Sequence, residues 1–144
     1  MNIVSIQMQC ASLILSYSHL TDQGRYDEQA ELFAEDGIYQ TPFAKFEGRA
    51  AIGEYLSTKP LTSLVRHLNG PSFFESIDAS EARCITYVTV LRREVGAAAP
   101  AEVAGRSYVV EFHNAFVHTP RGWRISNHLS KPVLTQNNGY FPRR

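Results

Sequence analysis

The chain has 144 residues, a length that suits one compact domain. Its hydrophobic fraction of 44% and aromatic fraction of 11% suffice for a core and exclude a disordered or fibrous chain. The 14 Lys and Arg balance the 14 Asp and Glu, so no basic excess draws the chain to nucleic acid, and the terminal pair Arg143–Arg144 is too short to change that.

Apolar residues Ile6, Cys10, Leu13, Ile14, Tyr17 and Leu20 recur at helical spacing and predict a helix over Ser5–Gln23, closed by Gly24. Gln7 and Gln9 interrupt this segment. Its longest apolar run, Cys10–Leu15, is far below the ~20 residues of a membrane span. It carries neither a basic n-region nor a small-residue cleavage site, so it reads as no signal peptide, and the expected location is cytoplasmic. The 2 cysteines, Cys10 and Cys84, lie too far apart for a disulfide framework or a metal-ligand spacing.

A short helix is expected over Tyr26–Ala34, with Ala30, Leu32 and Phe33 turned inward. Asp36-Gly37 reads as a turn into a strand, Ile38–Thr41, limited by Pro42. A third helix over Gly48–Lys59 carries Ile52, Tyr55 and Leu56 and stops at Pro60. Thereafter the segments Leu64–Leu68, Ser72–Ile77, Ala82–Val95, Arg106–His118 and Trp123–Val133 are rich in β-branched and aromatic residues and read as strands. Gly96–Pro100 and Pro120–Gly122 read as hairpin loops. Helices followed by antiparallel strands imply an α+β domain over residues 1–135, with residues 136–144 as a tail.

Five pieces in this order resemble the nuclear transport factor 2-like superfamily, and within it the SnoaL-like group. They are Tyr17-x-x-x-x-Asp22, Leu32-Phe33-Ala34-Glu35-Asp36-Gly37, Phe46-Glu47-Gly48-Arg49-x-x-Ile52, Arg66-His67-Leu68-x-Gly70 and Gly122-Trp123-Arg124-Ile125. The resemblance spans Gln9 to Val133. It implies a cone-shaped, cystatin-like fold: three N-terminal helices on a curved antiparallel sheet that encloses a pocket. In the site region the chain is similar to the branch of scytalone dehydratase and the bile-acid 7α-dehydratases. That branch implies Tyr17, Asp22 and His67 as catalytic residues. The chain departs from it near Val90–Arg92, which holds no Asp or His, and at Val110 and Phe112, which stand where a polar pair is expected.

The residues themselves are compatible with these roles. Asp22 falls in the last helical turn, where the macrodipole disfavours a negative charge, although a solvated Asp beside a turn is an equally ordinary reading. Alternation puts Val65, His67 and Asn69 on one strand face and Arg66 and Leu68 on the other. His67 could exchange protons near neutrality or serve as a hydrogen-bonded core residue. Tyr17 is five positions before Asp22, off its stripe, and suits core packing or a hydrogen bond to a ligand. Tyr108, Val110, Phe112 and Val90 are the expected ligand-lining residues. His113 falls on the opposite face from Tyr108, Val110 and Phe112; His128 stays open between roles; Trp123 reads as core, and His19 and His118 as exposed.

No G-x-S-x-G elbow, H-E-x-x-H helix, cysteine cluster or phosphate-binding glycine loop occurs, so no cofactor or metal is expected. The leading expectation is a cofactor-independent lyase or isomerase. It would dehydrate, isomerise or cyclise an apolar oxygenated small molecule, such as an aromatic, polyketide or steroid compound, with Asp22 and His67 as an acid–base pair. The alternatives are a non-catalytic ligand-binding protein of the same fold, or the small structural subunit of a ring-hydroxylating dioxygenase. The strands over Ala82–Val95 and Arg106–His118 carry apolar or long side chains on both faces, so a homodimer through the outer sheet face is also expected.

Overall fold

The computed structural model describes residues 2–59, 64–93, 98–103 and 107–136. Helix α1 spans Ile3–Asp22, and Asn2 caps it by accepting the Ser5 N–H at 3.1 Å. Its buried stripe is Ile6, Cys10, Ile14, Tyr17 and Leu20; Leu13 is only partly buried. The helix ends as the spacing predicts, with Gly24 at a φ of 67°. Cys10 and Cys84 are buried free thiols. No helix of the described residues is long and apolar enough to cross a membrane.

Helix α2 covers only Tyr26–Ala30. The expected continuation to Ala34 fails because Phe33 and Ala34 open strand β1, Phe33–Gln40. Backbone pairing decides this: the Ile125 N–H donates to the Leu32 carbonyl at 2.9 Å, and Phe33 lies beside Ile125. Asp36-Gly37 is therefore not a turn before a strand but an irregularity inside one, where the register shifts between Phe33 and Ile38. A Cβ at Gly37 would stand 3.0 Å from the Ala34 carbonyl oxygen and 3.2 Å from that of Ile125, so the close backbone approach requires glycine. A three-residue strand that the sequence did not signal, β2 (Lys45–Glu47), lies along β1.

Helix α3, Arg49–Ser57, buries Ile52 and Leu56. Thr58 and Lys59 form the turn beyond it, with N–H groups donating to Tyr55 and Leu56 carbonyls. Pro60 lies outside the described residues. The two expected strands Leu64–Leu68 and Ser72–Ile77 are one strand, β3 (Leu64–Ile77). Gly70-Pro71 does not break it, because the ladder absorbs them as a register shift between Asn69 and Ser72. Strands β4 (Glu81–Arg93), β5 (Tyr108–Thr119) and β6 (Gly122–Thr135) follow, with β5 and β6 joined by the Pro120–Arg121 turn. Most of the tail and residues 96 and 97 of the expected Gly96–Pro100 loop lie outside the described residues.

The sheet order is β2-β1-β6-β5-β4-β3. Neighbouring strands are antiparallel except β1 and β6, which run parallel, so the curved, unclosed sheet is mixed rather than wholly antiparallel. The parallel pair follows from connectivity, because the intervening helix α3 and strands β2–β5 form the crossover that a parallel pair needs. Burial alternates along β4: Ala82, Cys84, Thr86, Val88 and Val90 are buried, while Arg83 and Tyr87 are exposed. The inward face packs under α1 and α3, with α2 against those two helices, and among the described residues the outward face carries no helix.

Candidate active site

A cavity of about 260 Å³ opens where the C-terminal ends of α1 and α3 approach the inward sheet face. This is below the several hundred Å³ of pockets that take drug-sized ligands, so it suits a compact molecule. Its wall includes Tyr17, Asp22, His67, Tyr108, Val110 and Phe112, six of the seven residues expected there. Val90 is the exception. It is fully buried in the core, opposite both His67 and Tyr108 on the neighbouring strands, and does not reach the wall.

Asp22 and His67 meet in this cavity. The His67 backbone N–H donates to Asp22 Oδ2 at 2.9 Å, and His67 Nδ1 lies 2.6 Å from Asp22 Oδ1. Both side chains are nearly buried, at 7% exposure for Asp22 and 9% for His67. Two contacts to one carboxylate hold it at the end of α1 despite the helix dipole. A carboxylate only accepts, so Nδ1 carries a proton, and whenever the ring is neutral Nε2 keeps its lone pair. Ser18 makes the arrangement rigid by donating to Asn69 Oδ1 at 2.8 Å, clamping α1 to β3 two residues beyond His67.

Beneath the pair lies an aromatic cluster assembled by register. Tyr39 of β1 and Asn114 of β5 flank His128 of β6. The His128 ring stacks on Tyr39 with centroids 5.3 Å apart, tilts against Tyr17 at 4.4 Å, and places Nδ1 2.8 Å from Asn114 Oδ1. Burial is complete and pushes His128 down to about 3, helped by the charges of Lys59 and His67. Tyr17 is held chiefly by burial well above the usual phenol range, and its hydroxyl bonds to Tyr39. Tyr17 is thus both a core residue and a wall residue. His128, left open by the sequence, proves to be a neutral core histidine.

Two cations that the sequence reading passed over also reach the wall. Lys59 follows α3, with Nζ 5.7 Å from the Tyr55 ring centroid and 5.9 Å from that of Tyr39. Burial, and then the Arg92 charge, push its amine down to about 8. Arg92 ends the inward row of β4, and its Nη2 lies 3.4 Å from the Tyr108 hydroxyl. Alternation could have found Arg92, since it shares parity with the buried Val88 and Val90. Nothing local marks Lys59, because the distant Tyr39 forms part of its surroundings. His113 points outward and bonds Glu111 at 2.9 Å, as its parity predicts.

The sequence matches the family model of the SnoaL-like domain over residues 4–128. No curated protein matches it. Among solved structures it is similar to a protein from Novosphingobium aromaticivorans provisionally named a scytalone dehydratase, with a TM-score of 0.80, 19% identity and coverage of 98% of this chain and 92% of that one. It is also similar to a nuclear transport factor 2-like protein with a cystatin-like fold from the same organism, with a TM-score of 0.76, 24% identity and coverage of 90% and 83%. A provisionally named dehydratase of the nuclear transport factor 2-like family from Streptomyces avermitilis gives a TM-score of 0.76 at 15% identity, covering 92% of this chain and 99% of that one. At these identities the likenesses establish the fold.

Proposed function

The protein belongs to the SnoaL-like domain family, and on that premise we propose that it is a cofactor-independent lyase or isomerase acting on a compact, mostly apolar, oxygenated molecule. The observation that carries this reading is the nearly buried Asp22–His67 contact in the wall of a cavity. Asp22 fixes the tautomer, and His67 Nε2 takes a proton from the carbon next to a substrate carbonyl. For a dehydration, the electrons of that C–H bond form the new double bond and the β-hydroxyl departs. The proton held by His67 joins the leaving oxygen, so water is the second product. The step is redox-neutral and calls for no electron carrier. Tyr17 and Tyr39 supply hydroxyls beside the site to position a substrate oxygen. The structural neighbours provisionally named dehydratases are in keeping with the same chemistry.

The cavity volume favours one or two rings over a larger skeleton. A screen of aromatic and alicyclic ketones by thermal shift, followed by turnover assays, identifies substrates. In the variants Asp22→Asn and His67→Ala, turnover of such a substrate should fall by ~10²–10⁴-fold with the fold intact. Near wild-type rates in both would overturn the catalytic reading. One feature favours the rival, a ligand-binding protein of the same fold: Val110 and Phe112 leave the β5 wall apolar where a dehydratase site would be polar.

A further inference from the structure

The cavity holds more positive charge than the proton-transfer reading uses. Its wall carries Asp22, Lys59 and Arg92 beside the His67 ring. The one carboxylate is occupied by His67. Among the described residues, none of the ion pairs includes Lys59 or Arg92. Among the described residues Arg92 Nε is buried without a hydrogen-bond partner, and Lys59 Nζ lies against the Tyr39 and Tyr55 rings. Burial pushes the Lys59 amine down to about 8, and the neighbouring Arg92 charge adds to that fall, so the two cations repel each other. Retaining both without a counterion costs stability, and an anion between them would offset that cost.

The surroundings also restrict which anion. The helix ends at the cavity include the C-termini of α1 and α3, which repel negative charge, beside the start of the short α2 at Tyr26. Phosphate sites use the N-termini of longer helices and glycine-rich loops, whereas the helix N-terminus that reaches this wall, at Tyr26, belongs to the five-residue α2. A planar carboxylate matches the guanidinium fork. The rest of the wall, with Tyr39, Tyr55, Val110 and Phe112, suits a ring or short apolar body.

We propose that the cavity takes a small monocarboxylate, an aromatic or alicyclic keto or hydroxy acid, whose carboxylate lies between Arg92 and Lys59. That the reacting carbon of the same molecule is served by His67 rests on the catalytic reading above; the anion site itself does not. Benzoate, phenylacetate and cyclohexanecarboxylate, each against its primary amide, test this by isothermal titration calorimetry at neutral pH. The wild-type protein should bind at least one acid about tenfold or more tightly than its amide, the scale of a charge-assisted contact. The preference should collapse in Arg92→Met and weaken in Lys59→Met, and it should persist in Asp22→Asn. Arg92→Lys, which keeps the charge but not the fork, should lose most of it and serves if the Met variant does not fold. Equal binding of acids and amides, no binding of any acid, or a preference that survives both cation substitutions would overturn the anion site. If turnover is insensitive to Asp22→Asn and His67→Ala while the acid preference stands, the catalytic reading fails and the anion site remains. If turnover depends on the pair but no acid is preferred, the anion site alone fails.

Discussion

His128 shows how far surroundings override a side chain's ordinary chemistry. An imidazole free in water gains its charge below about 6.5. Here Tyr17 from α1, Phe33 and Tyr39 from β1, and Phe112 and Asn114 from β5 enclose the ring, while Lys59 and His67 add unfavourable charge. Its folded value of about 3 lies below the unfolded one, so between these limits the unfolded chain binds the extra proton. Stability contributed by the neutral ring is therefore complete above about pH 6.5, and is lost progressively as pH falls towards 3. The loss amounts to on the order of a few kcal/mol. Urea titrations between pH 7 and pH 5, above most carboxylate titration, should show this slope in the wild type and a flatter one in His128→Gln. Equal slopes would mean that His128 is not the group responsible. Asp22 and His67 were legible as residues because the order of short motifs around them resembles a known family. The same resemblance leads us to expect their mutual contact, and the packing of α1 on β3 makes it across the 44 residues between them.

Among the elements, the segment Leu32–Ile38 departs most from local expectation. A helical spacing of Ala30 and Phe33 yields to pairing with β6, which buries Phe33 completely and draws the Leu32 carbonyl into the ladder. Propensity differences amount to tenths of a kcal/mol per residue, whereas full burial of a large apolar side chain contributes about 1.5–3 kcal/mol, so the tertiary effect wins. Gly37 permits the change of register. Substituting Gly37→Ala should force Cβ against two backbone carbonyls and lower stability by about 1–3 kcal/mol, a drop of several degrees in Tm. Thermal unfolding by circular dichroism measures it, and an unchanged Tm would show that the irregularity yields at little cost. The merging of two expected strands into β3 has the same origin: Gly70-Pro71 disrupts one local stretch, but β4 pairs on both sides of it.

At the scale of the molecule, the described residues cover one sheet face with helices and leave the other without them. The uncovered face of β3 and β4 exposes Leu68, Phe73 and Tyr87 at 54%, 71% and 66%. These residues, with the partly exposed Ile85 and Leu91, form an apolar area that the described residues leave uncovered. We expect a homodimer through this face. Light scattering at high micromolar concentration should give twice the 16.2 kDa chain mass, and Tyr87→Asp or Phe73→Glu should shift the protein towards monomer without lowering helix content. A wild-type monomer at that concentration would remove the expectation.

From its own sequence the chain determined the α+β class, the three helices, the long strands, the inward rows of β4 and β5, and the identity of the Asp, His and Tyr at the site. These are local properties: hydrophobic period, turn residues and short motifs act over a few positions. The tertiary structure alone decided the parallel pairing of β1 with β6, the short β2, the placement of Val90 in the core, the neutral state of His128 and the arrival of Lys59 and Arg92 at the same wall as Asp22. Each of these depends on residues far apart in the chain. Burial, charge proximity and strand register exist only once distant segments have packed, and no window of sequence contains them.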